Sequence, residues 1–232
     1  MNGDAVAVIL FESDEIIAVD KPEGLASVPE RNIEIPSLLS LLTERQGQRL
    51  YAVHRLDKAA SGVILFAKTA EAHRFLNDQF SSRLVEKQYV ALVHGILTAT
   101  HGMVRRPIKE FGSGRMGIDH RGGKASCTTY DVAESLPAQT VLTVTPTTGR
   151  RHQVRVHLYS IGHPVVGDLR YGPLELQRRF PRLMLHARKL RFRLPSGNEL
   201  TIEAPESESF TATLTRLRGG EAMRSAGGGR SG

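Results

Sequence analysis

The densest run of chemically capable side chains is Tyr51-Ala52-Val53-His54-Arg55-Leu56-Asp57-Lys58, closed by Ala59-Ala60-Ser61-Gly62. An apolar approach ends in four functional groups, then small residues, then a second apolar run, Val63-Ile64-Leu65-Phe66. A carboxylate at such a loop-to-strand junction is carried on a rigid element while staying reachable from outside, which suits a nucleophile. On residue types alone, a turn or capping aspartate is the better reading of Asp57 than a catalyst. Nine histidines raise the question of a metal. His152 and His157 are five apart, which does not align two imidazoles on one helical face, and no His-Glu-x-x-His occurs. His54, His94 and His186 sit in apolar strand contexts that suit structural histidines. No metal is expected.

The elements that must position these groups are legible from pattern. Residues 5–11 and 16–20 are short Val/Ile-rich runs that pair as strands, followed by a Lys21-Pro22-Glu23-Gly24 turn. A leucine-rich helix is expected over 37–44, a buried strand over 62–68, and a helix over 70–80 capped by Thr69. Alternation marks a strand over 87–93, and β-branched content marks strands over 126–132 and 140–145. The spacing of Val154, Leu158 and Ile161 predicts a helix over 150–161 ended by Gly162. Residues 183–194 and 200–204 form a hairpin around Pro195-Ser196-Gly197-Asn198, and Phe210, Leu214 and Leu217 stripe a last helix. Between them, residues 105–124 hold five glycines among Arg105, Arg106, Lys109, Arg115, Arg121 and Lys124, which reads as a mobile basic segment. Strands interrupted by a few helices, without steady βαβα alternation, predict an α+β fold: one domain with a central, largely antiparallel mixed sheet flanked by helices.

Five ordered segments carry a resemblance. His54-Arg55-Leu56-Asp57 with Ser61-Gly62 and the following strand resembles the aspartate motif of the pseudouridine synthase family, closest to its Rlu-type branch, which modifies ribosomal RNA and some transfer RNAs. Ile17-Ala18-Val19-Asp20-Lys21-Pro22-Glu23-Gly24-Leu25 is similar to that family's opening strand and turn. Lys87-Gln88-Tyr89-Val90-Ala91-Leu92-Val93-His94-Gly95 is similar to its tyrosine strand. Thr148-Gly149-Arg150-Arg151-His152-Gln153-Val154-Arg155, continued by Gly162-His163-Pro164 and Gly167-Asp168, is similar to its arginine helix, and Leu185-His186-Ala187 to its last core strand. Spaced, ordered matches are far more specific than any one of them.

The resemblance implies an isomerase that converts specific uridines in structured ribosomal or transfer RNA to pseudouridine. It assigns Asp57 as nucleophile, Tyr89 as a base-stacking residue and candidate proton acceptor, and Arg155 as the partner of the aspartate. Arg55 would fill the gap left by a flipped nucleotide, with His54 beside it. Leu185, or else Leu190, would pack on the uracil. Arg155 is placed inward, while Arg151, one turn away, faces the RNA backbone together with Arg150 and Lys124. A desolvated carboxylate drifts toward its neutral form, and a guanidinium within a few ångströms keeps it charged. Attack at the sugar C1′, at uracil C6, or assistance to base departure all stay open. Lys58, Ala59 and Ala60 depart from the branch, where an Arg and polar residues commonly stand, so contacts to the substrate phosphate should differ.

Composition fits this partner without demanding it. Lys and Arg outnumber Asp and Glu by 31 to 24, a net +7 that suits a polyanion. The single cysteine, Cys127, excludes an intramolecular disulfide and a thiolate-built zinc site. No run approaches the ~18 apolar residues of a membrane span, and no leader pattern opens the chain. A cytoplasmic, cofactor-free monomer is expected, with a catalytic domain over 1–218, a disordered Gly-rich tail over 219–232 and no separate N-terminal RNA-binding module. A non-catalytic RNA-binding or ribosome-assembly module of the same fold is the alternative. The intact Asp57, Tyr89 and Arg155 set argues against it, because phosphate binding alone needs no buried carboxylate.

Overall fold

A computed structural model describes residues 7–30, 32 and 34–220. The tail expected to be disordered therefore lies, from residue 221 on, outside the described residues. Strands β1 (Val8–Glu12) and β2 (Ile16–Lys21) pair first, and β4 (Ser61–Ala67) adds to β2. Helix α1 (Leu38–Gln46) and the short β3 (Tyr51–Ala52) lie between them, and helix α2 (Ala70–Ser81) follows β4. The centre of the molecule is β5 (Glu86–His94), β10 (Gln139–Pro146) and β11 (Leu185–Arg193). Strands β6 (His101–Arg105) and β9 (Cys127–Ser135) extend one side, and β12 (Glu199–Glu203) hairpins back on β11. The ten-stranded sheet runs β1-β2-β4-β11-β5-β10-β9-β6, with β12 on β11 and β3 on β4. Every pairing among the described residues is antiparallel except β4 with β11, where His186 faces Ser61 and Ala187 faces Gly62. The architecture is the α+β sheet expected.

That parallel seam is why a glycine follows Ser61. Gly62 has φ +113, and a β-carbon there would collide with the Ala187 carbonyl oxygen. Removing the side chain lets β11 close on β4 directly behind the loop that carries Asp57.

β5 is covered on both faces, so it reads as a continuous apolar run where pattern alone suggests alternation. Ala91 and Val93 pack with Leu142, Val144 and α3 (Gln153–Ser160), whereas Val90 and Leu92 pack with Val141 and with Phe210 and Leu214 of α5 (Glu208–Arg218). Thr69 caps α2 as expected, its hydroxyl accepting the Ala72 amide at 3.1 Å. Gln79 of that helix is buried and bonds both the carbonyl and amide of Arg193, clamping helix to sheet edge.

Two expectations are corrected. Residues 105–124 are not a mobile segment: β7 (Ile108–Glu110) and β8 (Met116–Ile118) form a hairpin whose Ile108 and Met116 are buried against Val156 and Tyr171. Two apolar anchors among charged and Gly-rich neighbours are enough to dock it. The arginine helix begins at Gln153 rather than at residue 150, because Gln153 Oε1 accepts the Arg150 amide and the Thr148 hydroxyl and curls 148–152 into a turn. A four-residue helix, α4 (Leu174–Gln177), adds to the elements expected from pattern.

Candidate active site

The Asp57 loop is held from below by groups remote in sequence. Ser27 Oγ donates to the Leu56 carbonyl at 2.9 Å and accepts the Leu56 amide at 3.1 Å, and the Leu56 side chain is buried. Lys21, fully buried at the end of β2, donates through Nζ to the carbonyls of Pro22, Leu25 and Lys58 at 2.8, 2.8 and 3.2 Å. Burial, and then the Arg182 charge, bring the Lys21 ammonium down to about 8. Sequence reasoning reads Lys21 only as part of a turn; a lysine ending an apolar strand is the available signal.

Asp57 and Arg155 lie far apart in the chain and meet here. Arg155 Nη1 donates to Asp57 Oδ2 at 2.9 Å. The same guanidinium donates from Nε and Nη2 to Asp168, both at 2.7 Å, and Asp168 also accepts the amides of Arg170 and Tyr171. Asp168 is fully shielded, Arg155 nearly so, and Asp57 alone keeps part of its carboxylate toward the opening, at 21% exposure. Burial by itself would favour losing the Arg155 proton. The Asp168 hydrogen bonds and charge, with Asp57 next, outweigh it and hold the guanidinium cation firmly. Asp168 stands in the segment that continues the arginine helix, yet residue type gives it no role there; in the fold it is the residue that fixes Arg155.

The other expected residues fall as follows. Tyr89 lines the cleft at the junction of the two core clusters beside Asp57. Burial, and then the Asp57 charge, push its phenol up, so the resting group is the neutral phenol. Leu185 lines the cleft, whereas Leu190 is buried in the cluster around β4. Arg55 is an exposed cleft residue, and Arg150 lies on the cleft wall with a buried Nε lacking a partner. Arg151 is exposed and paired with Glu110 of the hairpin at 2.9 Å. His54 also borders the cleft, yet its Nε2 accepts the Leu65 amide at 3.0 Å and its ring stacks on Phe80. Burial, and then Lys87, lower it to about 3, so it is a neutral structural histidine at the wall. Lys124 is exposed, pairs through its backbone with Ile108, and does not border the cleft. Lys58 is turned to Glu30 at 2.8 Å.

The resulting cleft has a volume of about 1250 Å³ and is lined by Asp57, Tyr89 and Leu185 together with Arg55, Arg83, Arg150 and Arg170. A shielded carboxylate, an apolar wall, an aromatic ring and a cationic rim can receive a planar base carried on a phosphate chain.

Residues 15–160 match the sequence pattern of the RNA pseudouridylate synthase family. The chain belongs to this family, whose reaction is the isomerisation of uridine to pseudouridine in RNA. Among its relatives it is 41% identical over 202 residues to the dual-specificity RNA pseudouridine synthase RluA of Escherichia coli strain K12, covering 85% of this chain and 92% of that one. Its namesake in Vibrio vulnificus is 39% identical over 199 residues, covering 83% and 80%. The human RNA pseudouridylate synthase domain containing 1 superposes with a TM-score of 0.76 at 26% identity, covering 94% of this chain and 98% of that one. The human domain containing 4 superposes at 0.74 with 28% identity, covering 91% and 93%.

Proposed function

We propose that this protein isomerises uridines in structured ribosomal or transfer RNA and that Asp57 carries the chemistry. The observation that supports this most is the Asp57–Arg155–Asp168 arrangement, in which a single shared cation is hydrogen-bonded to an accessible carboxylate that lines a cleft roomy enough for a nucleotide. The target nucleotide is flipped out of its RNA, at a cost of a few kcal/mol that favours loops and unpaired sites. Arg55 occupies the vacated space, Arg150 and Arg151 engage phosphates, and Lys124 makes a more distant contact through the hairpin side. Tyr89 and Leu185 sandwich the uracil, with His54 completing the wall.

In the reaction the N1–C1′ bond breaks with Asp57 supplying or stabilising charge at the reacting centre. The uracil rotates and the C5–C1′ bond forms; the proton leaving C5 is balanced by the one gained at N1. Nothing is oxidised and no group leaves, so the chemistry itself calls for no redox or group-carrying cofactor. We propose a cytoplasmic monomer working without a metal. No helix among the described residues is long and apolar enough to cross a membrane.

Mapping pseudouridines in ribosomal and transfer RNA fractions, with and without the gene, tests this reading. Loss of one or more defined sites on deletion is expected; an unchanged map in both fractions would overturn it.

A further inference from the structure

His152 adopts φ +54 and ψ 20, one of two non-glycine residues with positive φ among the described residues. Left-handed backbone carries a steric cost for a side chain and is often found where a site requires it. The conformation aims the imidazole into the gap between Tyr171 and Asp57. His152 Nδ1 lies 2.9 Å from the Tyr171 hydroxyl, and its Nε2 lies 3.8 Å from Asp57 Oδ1, the carboxylate oxygen that Arg155 does not hold.

Tyr171 is itself among the largest fully buried side chains. Its hydroxyl accepts the Met116 amide from the β7–β8 hairpin at 3.3 Å, and its ring lies 5.1 Å from the Arg155 guanidinium. One tyrosine therefore backs both groups that face Asp57.

We propose that Tyr171 and His152 form a second, uncharged support for Asp57: the Tyr171 hydroxyl donates to His152 Nδ1, and the Nε2–H this fixes is aimed at Asp57 Oδ1. The proposal rests on Asp57 acting as the reactive carboxylate. His152 is a positioning residue. At 3.8 Å its donor is about an ångström beyond a hydrogen bond, so it engages when Oδ1 shifts toward an incoming nucleotide. A second cation on Oδ1 would quench the carboxylate further, whereas a neutral N–H orients the lone pair and withdraws less charge. Neutrality agrees with the surroundings: burial holds His152 down to about 4, and Arg155, Arg151 and Arg170 oppose the pull of Asp57.

The test uses the full chain and unmodified ribosomal and transfer RNA transcripts tritiated at uridine C5, read as single-turnover tritium release. Asparagine tolerates the left-handed backbone but its amide reaches only the Nδ1 position, while glutamine places a donor near Nε2. His152→Asn should lose tenfold or more in rate with RNA affinity unchanged within twofold, and His152→Gln should stay within about threefold of wild type. Tyr171→Phe, which keeps the ring under Arg155, should lose a similar factor. The double variant His152→Asn/Tyr171→Phe should fall no more than about twofold further than either alone. Wild-type rates in His152→Asn, equal losses in the Asn and Gln variants, or multiplicative losses in the double variant would overturn the support while leaving Asp57 in place. An inert wild-type protein would overturn the isomerase reading and this proposal with it. Independently of any variant, nitrogen-15 NMR of the native protein should show His152 as the Nε2–H tautomer, and the Nδ1–H tautomer would overturn the proposal.

Discussion

Asp168 grips Arg155 through two parallel hydrogen bonds of 2.7 Å, leaving a single guanidinium nitrogen, Nη1, to face Asp57. The geometry ranks the two carboxylates. The buried one is fully engaged in anchoring the cation; the partly open one shares the charge and stays available.

Removing the anchor should therefore cost both fold and rate. Breaking a buried ion pair from one side leaves an uncompensated charge and costs about 3–5 kcal/mol. Asp168→Ala is expected to fall in that range by urea denaturation and to lose most single-turnover activity. Near-wild-type stability would show that Arg155 does not depend on Asp168.

The cationic rim should act on affinity rather than on chemistry. Deleting one arginine that pairs with a phosphate reduces the dependence of log K on log salt by about one unit or slightly less. Arg150→Ala should weaken RNA binding and flatten that slope, measured by filter binding across a salt series, whereas Arg55→Ala, which removes the group filling the vacated space, should weaken binding with the slope less changed. Arg151→Ala should do less, since its side chain is shared with Glu110. An unchanged slope for the Arg150 variant would move the RNA path elsewhere.

Acid should unfold the protein through its histidines. His54 and His152 are lowered to about 3 and about 4 by burial, and His94, His157 and His186 are lowered by the same cause. Below pH ~6.5 the unfolded chain binds protons that the folded chain refuses, so stability falls as pH drops through 6.5 and keeps falling toward 4. The urea midpoint should decline steadily between pH 7 and 5. A flat profile over that window would contradict the buried, neutral state assigned to these rings.

Gly62 should not accept a side chain. Its positive φ and the approach of the Ala187 carbonyl predict that Gly62→Ala costs about 3 kcal/mol or more, from strain and overpacking together. Thermal unfolding of the purified variant checks this; a melting temperature within a degree or two of wild type would mean that β11 can yield.

Much of this is legible in the sequence, and the misses share a cause. Apolar runs and caps locate β2, β4, α2 and the β11–β12 hairpin because local pattern and tertiary burial agree there. The ordered motifs bring Asp57, Tyr89, Arg155 and Leu185 into one cleft. What escapes depends on packing between distant segments. The hairpin around Ile108 and Met116 is anchored by Val156 and Tyr171, and neither anchor is visible in a Gly/Arg-rich stretch. Lys21, Asp168 and the His54–Leu65 bond are polar groups whose partners lie on other elements, and residue type alone cannot say whether such a group faces substrate or backbone.

The assignment of Asp57 is tested most directly by single-turnover conversion with the Asp57→Asn protein on RNA that it still binds. Asparagine preserves shape and removes the charge. Wild-type RNA affinity within a few-fold and no detectable pseudouridine are predicted; measurable turnover approaching the wild-type rate would contradict the role given to Asp57.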